Sequence, residues 1–148
     1  MKTTVKLATA VLIVIPLVGI AQQKPLSCAH DIVFSQEFLA KYPRAGAACN
    51  EVLLVNGQKW ARFNAEVKHI QGTQLTVDFI NNKDRSVNTN MTFQFAPDAT
   101  VTLTDRQVKP ASALKEGDKL LFWVPESRFG FYAKPGAAES QQFKVVSQ

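Results

Sequence analysis

The side chains of this sequence that could support acid–base chemistry include two histidines, His30 and His69. Nucleophilic catalysis needs a base next to the nucleophile. His30 lies close to a cysteine that we expect to be disulfide-bonded. His69 alternates in phase with Phe63 and Val67, which is typical of a partly buried histidine near a strand end. No Gly-x-Ser-x-Gly motif is present. The sequence therefore predicts no histidine-based active site.

Four carboxylates in predicted loops, Asp98, Asp105, Glu116 and Asp118, are the candidates for a glycosidase-like pair. Each also suits a turn, where a carboxylate accepts hydrogen bonds from nearby backbone amides. The sequence holds no His-x-His, His-Glu-x-x-His or EF-hand motif, and its seven glycines are scattered. We expect a protein that is not an enzyme and that needs neither a metal nor another cofactor.

The two cysteines, Cys28 and Cys49, are expected to form a structural disulfide. An even cysteine count in an exported chain favours such a bond, and the Cys-x-x-Cys spacing of redox enzymes is absent. On the chain-entropy argument, a closed loop of this length stabilises the fold by about 3 kcal/mol.

Aromatic and basic residues supply the strongest binding signal in the sequence. Interleaved rings and cations can stack on bases, sugars or the side chains of a partner. An alternative is that the rings form a second small core, with the face bearing Trp60 and Trp123 covered by Phe34, Phe38 and Leu39 of an N-terminal helix. The candidate binding residues are Trp60, Arg62, Trp123, Arg128, Phe129, Phe131, Tyr132 and Lys134.

Residues 1–21 are predicted to be a secretory signal peptide cleaved near Ala21. Lys2 and Lys6 precede an apolar stretch of about 14 residues, which is shorter than the roughly 20 that a membrane-spanning helix needs. The alternative is a membrane anchor. Lipidation at Cys28 is disfavoured because residues 25–27 match a bacterial lipobox poorly. We therefore expect a periplasmic or secreted protein with no transmembrane segment after cleavage.

The length of 148 residues and a hydrophobic content of 46% predict one globular domain. We expect residues 22–148 to form a single β-rich domain, with a helical, disulfide-closed unit at 22–50 and a β-barrel at 51–148. The net charge of +5 includes two lysines of the leader, so it does not indicate a specific nucleic-acid partner.

Hydrophobic periodicity predicts one helix followed by short strands. The helix is capped by Asp31 or Ser35 and ends at Tyr42-Pro43, and Asn56-Gly57 is typical of a type I′ hairpin turn. A helical turn with Ser112 as a possible cap is expected at 109–116. Strands are predicted at 51–55, 59–70, 74–80, 86–95, 100–104, 119–124 and 142–146.

This pattern predicts a mainly β fold, either a small antiparallel barrel or a sandwich, with one N-terminal helix held by the disulfide. The stretch from about Trp60 to Val124 resembles small secreted bacterial OB-like β-barrel domains. The resemblance implies a fold and carries no catalytic residues. It lies in Ala65-Glu66-Val67 with Gly72, Leu75-Thr76-Val77, Phe93-Gln94-Phe95, Pro97-Asp98-Ala99-Thr100-Val101 and Leu114-Lys115-Glu116-Gly117-Asp118.

Together these observations favour an exported, non-enzymatic binding module. Its expected partner is an envelope protein or a cell-wall component, recognised through the aromatic and basic residues. The alternative hypothesis is a small secreted inhibitor of a foreign lysozyme or protease, for which a protruding rigid loop is the feature to seek.

Overall fold

The computed structural model describes residues 9–14 and 24–146. The predicted signal peptide and its cleavage near Ala21 therefore fall mostly outside the described residues. Residues 9–14 form neither helix nor strand, and the side chains of Val11–Val14 are 79–87% exposed. Among the described residues, no helix has the length and apolar character needed to cross a membrane.

Two short helices precede the strands, α1 (Gln36–Lys41) and α2 (Ala45–Ala48). Ser35 caps α1, because its hydroxyl accepts a hydrogen bond from the backbone N–H of Phe38. The predicted Cys28–Cys49 disulfide is confirmed, with the two Cα atoms 5.9 Å apart. The bond ties the segment before α1 to the residue at which the first strand begins.

The rest of the described chain is built from nine strands, most of them at the predicted positions. Asn56 and Gly57 adopt positive φ angles of 49° and 77°, as the predicted hairpin turn requires. The strands are β1 (Cys49–Val55), β2 (Gln58–Gln71), β3 (Gln74–Ile80), β4 (Ser86–Gln94), β5 (Thr100–Leu103), β6 (Val108–Pro110), β7 (Lys119–Pro125), β8 (Phe131–Tyr132) and β9 (Gln142–Val145).

The helical turn predicted at 109–116 is wrong in part. Val108 pairs with Thr102, so the chain first forms strand β6, and a 3-10 helix then covers only Ala111–Ala113. Pro110, and not Ser112, precedes that helix as its cap. Pairing with β5 outweighs the weak local helical signal of this short stretch.

The strands form one sheet in the order β1-β2-β3-β4-β9-β8-β7-β5-β6, and every pairing in it is antiparallel. Strand β2 is long enough to have three partners. Its first half pairs with β1 and its second half with β3, while β7 lies along its other edge from Trp60 to Glu66. The mainly β, antiparallel fold class is thus confirmed.

The sheet buries apolar side chains on both faces. We call the larger set the inner cluster. It consists mostly of alternate side chains of the strands, which lie on one face of the sheet, and it includes Phe63, Phe79, Phe93, Phe122 and Phe131. The smaller set, the outer cluster, lies on the opposite face and consists of Trp60, Trp123, Tyr132 and Ala137, with Leu53 and Val55 packed against it.

Helix α1 packs on the inner cluster, which corrects the expectation that it covers the face bearing Trp60 and Trp123. The Phe38 ring lies 6.0 Å from the ring of Phe63 and 5.7 Å from that of Phe131, measured between centroids. Leu39, expected on the buried face of the helix, is exposed. Phe38 is fully buried, so the helix contributes its ring to the inner cluster.

Candidate binding clefts

The predicted aromatic surface is buried, so its rings do not face solvent. Trp60, Trp123 and Tyr132 belong to the outer cluster, and Phe131, their neighbour in sequence, belongs to the inner one. Their placement follows from strand pairing, since Trp123 pairs with Arg62 on one side and with Tyr132 on the other. The segment after β8 then folds back over them through Ala137.

Arg128 and Glu139 close the outer cluster from the solvent side. The Arg128 guanidinium carbon lies 5.5 Å from the Tyr132 ring centroid and 5.9 Å from that of Trp60. Its Nη1 is 2.7 Å from Oε1 of Glu139, and the Tyr132 hydroxyl donates to Oε2 of the same carboxylate at 3.0 Å. Burial, with the hydrogen bond to Glu139 second, raises the pKa of Tyr132. Arg128 is thus held by interactions within the fold.

The remaining predicted binding residues are distributed over different parts of the surface. Arg62 forms an ion pair with Glu51 at 2.8 Å. Phe129 is half-buried against the inner cluster, with the Lys41 ammonium 4.7 Å above its ring. Lys134 is exposed and follows β8. The structure therefore does not bring the eight residues together into one surface.

Lys134 lines a cleft of about 540 Å³ that the sequence did not reveal. The cleft forms where β7 changes its partner, since Leu121 pairs with β5 but Trp123 pairs with β8. The two arms, β5–β6 and β8–β9, diverge from this point. We call the space between them the fork cleft. It is lined by Phe95, Ala96, Asp98, Ala99, Thr100, Thr102, Val108, Ala133, Lys134, Ser140, Gln141, Gln142 and Phe143.

The fork cleft combines polar, charged and apolar groups. Asp98 and Lys134 supply one charge of each sign, and Val108 is 65% exposed at the rim although it is a valine in a strand. Thr100 and Val101 pair with β6, whereas the pairing with β7 begins only at Thr102. One edge of β5 is therefore left without a neighbouring strand beside the cleft. Such an edge offers backbone donors and acceptors to an extended chain.

The groups considered for catalysis do not meet in this cleft. His69 Nδ1 lies 3.6 Å from Glu116 Oε1, but both side chains are more than half exposed and neither lines the fork cleft. Asp118 accepts a hydrogen bond from the backbone of Lys115, and Asp105 accepts one from that of Gln107, as expected of turn residues. Within residues 9–14 and 24–146, no three potential ligands are grouped so that they could hold a metal ion.

Comparison with known proteins adds no relative. No protein-family model matches the chain, and searches of the curated proteins and of the solved structures also find no match.

Proposed function

We propose that this protein is an exported, non-enzymatic interaction module that binds an extended polypeptide segment of an envelope protein in the fork cleft. The observation that carries the proposal is the divergence of the β5–β6 and β8–β9 arms, which leaves an unpaired strand edge beside a cleft of about 540 Å³. An extended segment can add to such an edge through its backbone, while nearby side chains select its sequence.

The lining of the cleft fits a polypeptide with mixed side chains. Val108 offers an exposed apolar contact, and Lys134 and Asp98 can each pair with an opposite charge. Thr100 and Thr102 project hydroxyls from the strand whose edge is open. Basic and apolar groups thus remain the recognition elements of the proposal, but Trp60, Trp123 and Tyr132 lie in the outer cluster and do not line the cleft.

Export is supported by the N-terminal sequence and by the disulfide. The apolar side chains of Val11–Val14 are exposed and add nothing to the core, as suits a leader that is removed. The Cys28–Cys49 bond favours an oxidising compartment. We accordingly propose a periplasmic or secreted location, with cleavage near Ala21.

The fold that we propose is a small closed barrel. The pairings lead from β2 through β3, β4, β9, β8 and β7, and the β2–β7 pairing returns to the starting strand. This ring has six strands, whereas an OB barrel has five. The two-residue strand β8 is the shortest of the six, and without it the ring would have the OB number.

Capture of partners from the envelope fraction by the oxidised, tagged protein, residues 22–148, tests the proposed function. Lys134→Glu and Val108→Ser should each reduce the recovery of a stoichiometric partner by about ten-fold, because each removes a contact in the cleft. The matched controls are Lys83→Glu, in the β3–β4 turn, and Val33→Ser, at another exposed valine outside the cleft.

The proposal requires that the control variants retain the partner and that all four variants keep the melting temperature of the parent protein. Equal recovery by the cleft and control variants would place the interface elsewhere. An absence of any protein partner, combined with retention on purified cell-wall glycan, would replace the polypeptide with a glycan.

The alternative function, inhibition of a foreign lysozyme or protease, is favoured by one observation. The β5–β6 turn exposes residues 104–107, and hydrogen bonds from Arg106 and Gln107 to Leu103 and Asp105 hold it. This is the exposed, ordered loop that an inhibitor needs. Inhibition of a lysozyme or protease panel at micromolar concentration, lost on Arg106→Ala, would favour this function over the interaction module.

A further inference from the structure

A second cleft of about 480 Å³ lies on another part of the molecule, between the end of helix α1 and strands β4 and β9. None of its lining residues contributes to the fork cleft. The helix side supplies Lys41, Tyr42 and Arg44, and strand β4 supplies Asn88 and Thr89 among others. We call this space the basic cleft.

The charges that line the basic cleft are all positive. Of the described residues that line it, Lys41, Tyr42 and Arg44 are the only ionisable ones, and none carries a carboxylate. Lys41 has a partner outside the lining, Glu37, at 3.6 Å. Among the described residues, the Arg44 guanidinium has neither an ion pair nor a hydrogen bond, so its charge is uncompensated.

Asn88 gives an independent indication of a missing acceptor. Its Nδ2 is buried and has no hydrogen-bond partner among the described residues. Asn88 pairs with Phe79 of β3 at an irregular point of the β3–β4 ladder. A buried donor without an acceptor costs about 1–3 kcal/mol. An acceptor bound in the cleft would recover part of that cost once the Asn88 side chain turns its Nδ2 toward the cleft.

We propose that the basic cleft binds an anionic oxygen group, a phosphate or a carboxylate, between Arg44 and Asn88. The guanidinium supplies charge and paired donors suited to an oxyanion, and the Asn88 amide supplies a further donor from the opposite wall. The hydroxyl of Thr89 lies on the same wall as Asn88. The Tyr42 hydroxyl stays protonated and able to donate at neutral pH, since burial raises the pKa of Tyr42.

Titration of the ¹⁵N-labelled protein with defined small anions tests this site. The probes are inorganic phosphate and glycerol 1-phosphate for a phosphate source, acetate and glucuronate for a carboxylate source, and glycerol as the neutral control. Saturable shifts are expected at the backbone amides of Arg44, Asn88 and Thr89, with the phosphate and carboxylate dissociation constants identifying the source. Glycerol should leave these amides unchanged.

Two variants and two controls separate this site from general charge attraction. Arg44→Ala should weaken binding by about ten-fold or more, the order of a lost charge-assisted hydrogen bond, and Asn88→Ala by a smaller factor. Arg106→Ala removes an exposed arginine of the β5–β6 turn and should leave binding unchanged. Lys134→Glu, in the fork cleft, should also leave it unchanged, so failure here is distinguishable from failure of the proposed function.

Weakening by Arg106→Ala as strong as that by Arg44→Ala would overturn the proposed anion site, because it would show that the anions respond only to the overall charge of the protein.

Discussion

The inner and outer clusters bury aromatic rings by different means. In the inner cluster, rings from several strands contact one another directly, and the Phe93–Phe122 and Phe93–Phe131 centroids are each 5.0 Å apart. In the outer cluster, the rings are covered by the segment that follows β8, through Ala137, and by the exposed side chain of Arg128. Polar atoms are also buried there, including Trp60 Nε1, which has no hydrogen-bond partner among the described residues.

This difference separates two roles for aromatic residues in one small sheet. The inner cluster provides most of the buried apolar contact and so should dominate the free energy of unfolding. The outer cluster fixes the segment that follows β8, and Ala133 and Lys134 of that segment form a wall of the fork cleft. Both tryptophans of the chain lie in the outer cluster, so tryptophan emission reports on that cluster selectively.

The largest effect is expected from Phe131→Ala. The Phe131 ring is fully buried and contacts the rings of Phe38, Phe79 and Phe93, so its loss leaves a cavity in the inner cluster. We expect the free energy of unfolding in urea to fall by about 3–5 kcal/mol. Phe129→Ala is the matched control, because Phe129 is only half-buried in the same cluster. A cost for Phe131→Ala no larger than that of the control would mean that the inner cluster does not dominate the free energy of unfolding.

Removal of the disulfide should have the next largest effect. Cys28→Ser combined with Cys49→Ser is expected to lower the free energy of unfolding by about 3 kcal/mol, because the unfolded chain regains the freedom of the closed loop. Both cysteines pack against the inner cluster. The native tryptophan emission maximum should therefore stay unchanged, and a red shift before unfolding would show that the disulfide also supports the outer cluster.

Tyr132→Phe changes the outer cluster without opening a cavity. It removes the hydrogen bond to Glu139, and Glu139 keeps its contact with Arg128. We expect a loss of about 0.5–1.5 kcal/mol in the free energy of unfolding at pH 7. Tyr42→Phe is the matched control, since no described residue accepts a hydrogen bond from the Tyr42 hydroxyl. A cost for Tyr132→Phe indistinguishable from that of Tyr42→Phe would show that the Glu139 contact adds no stability.

The same pair of variants reveals the alkaline dependence of stability. The pKa of Tyr132 is raised in the folded state, so above about pH 10 the unfolded state loses its proton first and stability falls as the pH rises through the folded pKa. Tyr132→Phe should remove part of this fall, and so should Tyr42→Phe, whose tyrosine pKa is also raised. Unfolding curves between pH 9 and 11 measure it. An unchanged slope in Tyr132→Phe would contradict the assignment.

Arg128→Ala should have the smallest effect on stability, about 0.5–1 kcal/mol, because the side chain is exposed and its interaction with the rings is screened by solvent. The substitution should nevertheless change the tryptophan emission of the native protein, because the Arg128 guanidinium lies over the Trp60 ring. Arg128→Lys keeps the charge and serves as the control. Emission that does not change in Arg128→Ala would show that the outer cluster needs no such cover.

Local patterns predicted most of the elements. Alternation along 74–80 and the Asn56-Gly57 pair depend on neighbouring residues alone, and both agree with the structure. The cover over Trp60 and Trp123 depends on the return of the chain at Ala137, which no local pattern encodes. The fork cleft depends on β7 changing partners between Leu121 and Trp123, which is a long-range pairing choice.

The candidate site residues show the same contrast between local sequence patterns and long-range contacts. Lys134 is predicted from the sequence as a binding residue and does line a cleft. Asp98, which shares that cleft, is predicted only as a turn residue or a member of a catalytic pair, and no sequence pattern marks Val108. Arg44 and Asn88 lie far apart in sequence and meet only because helix α1 ends beside β4. Residues this far apart in sequence form no recognisable motif, so only the folded structure shows that they line one cleft.

The pairing of β2 with β7 also bears on how the chain reaches this structure. Strand β2 finds β1 and β3 through tight turns, but β7 joins it only after residues 72–118 have been brought into place. Non-local pairing of this kind is slow compared with hairpin formation. We expect a β1–β2–β3 meander to form early and docking of β7 to limit the folding rate, so that conservative substitutions in β7 mainly change the rate of folding.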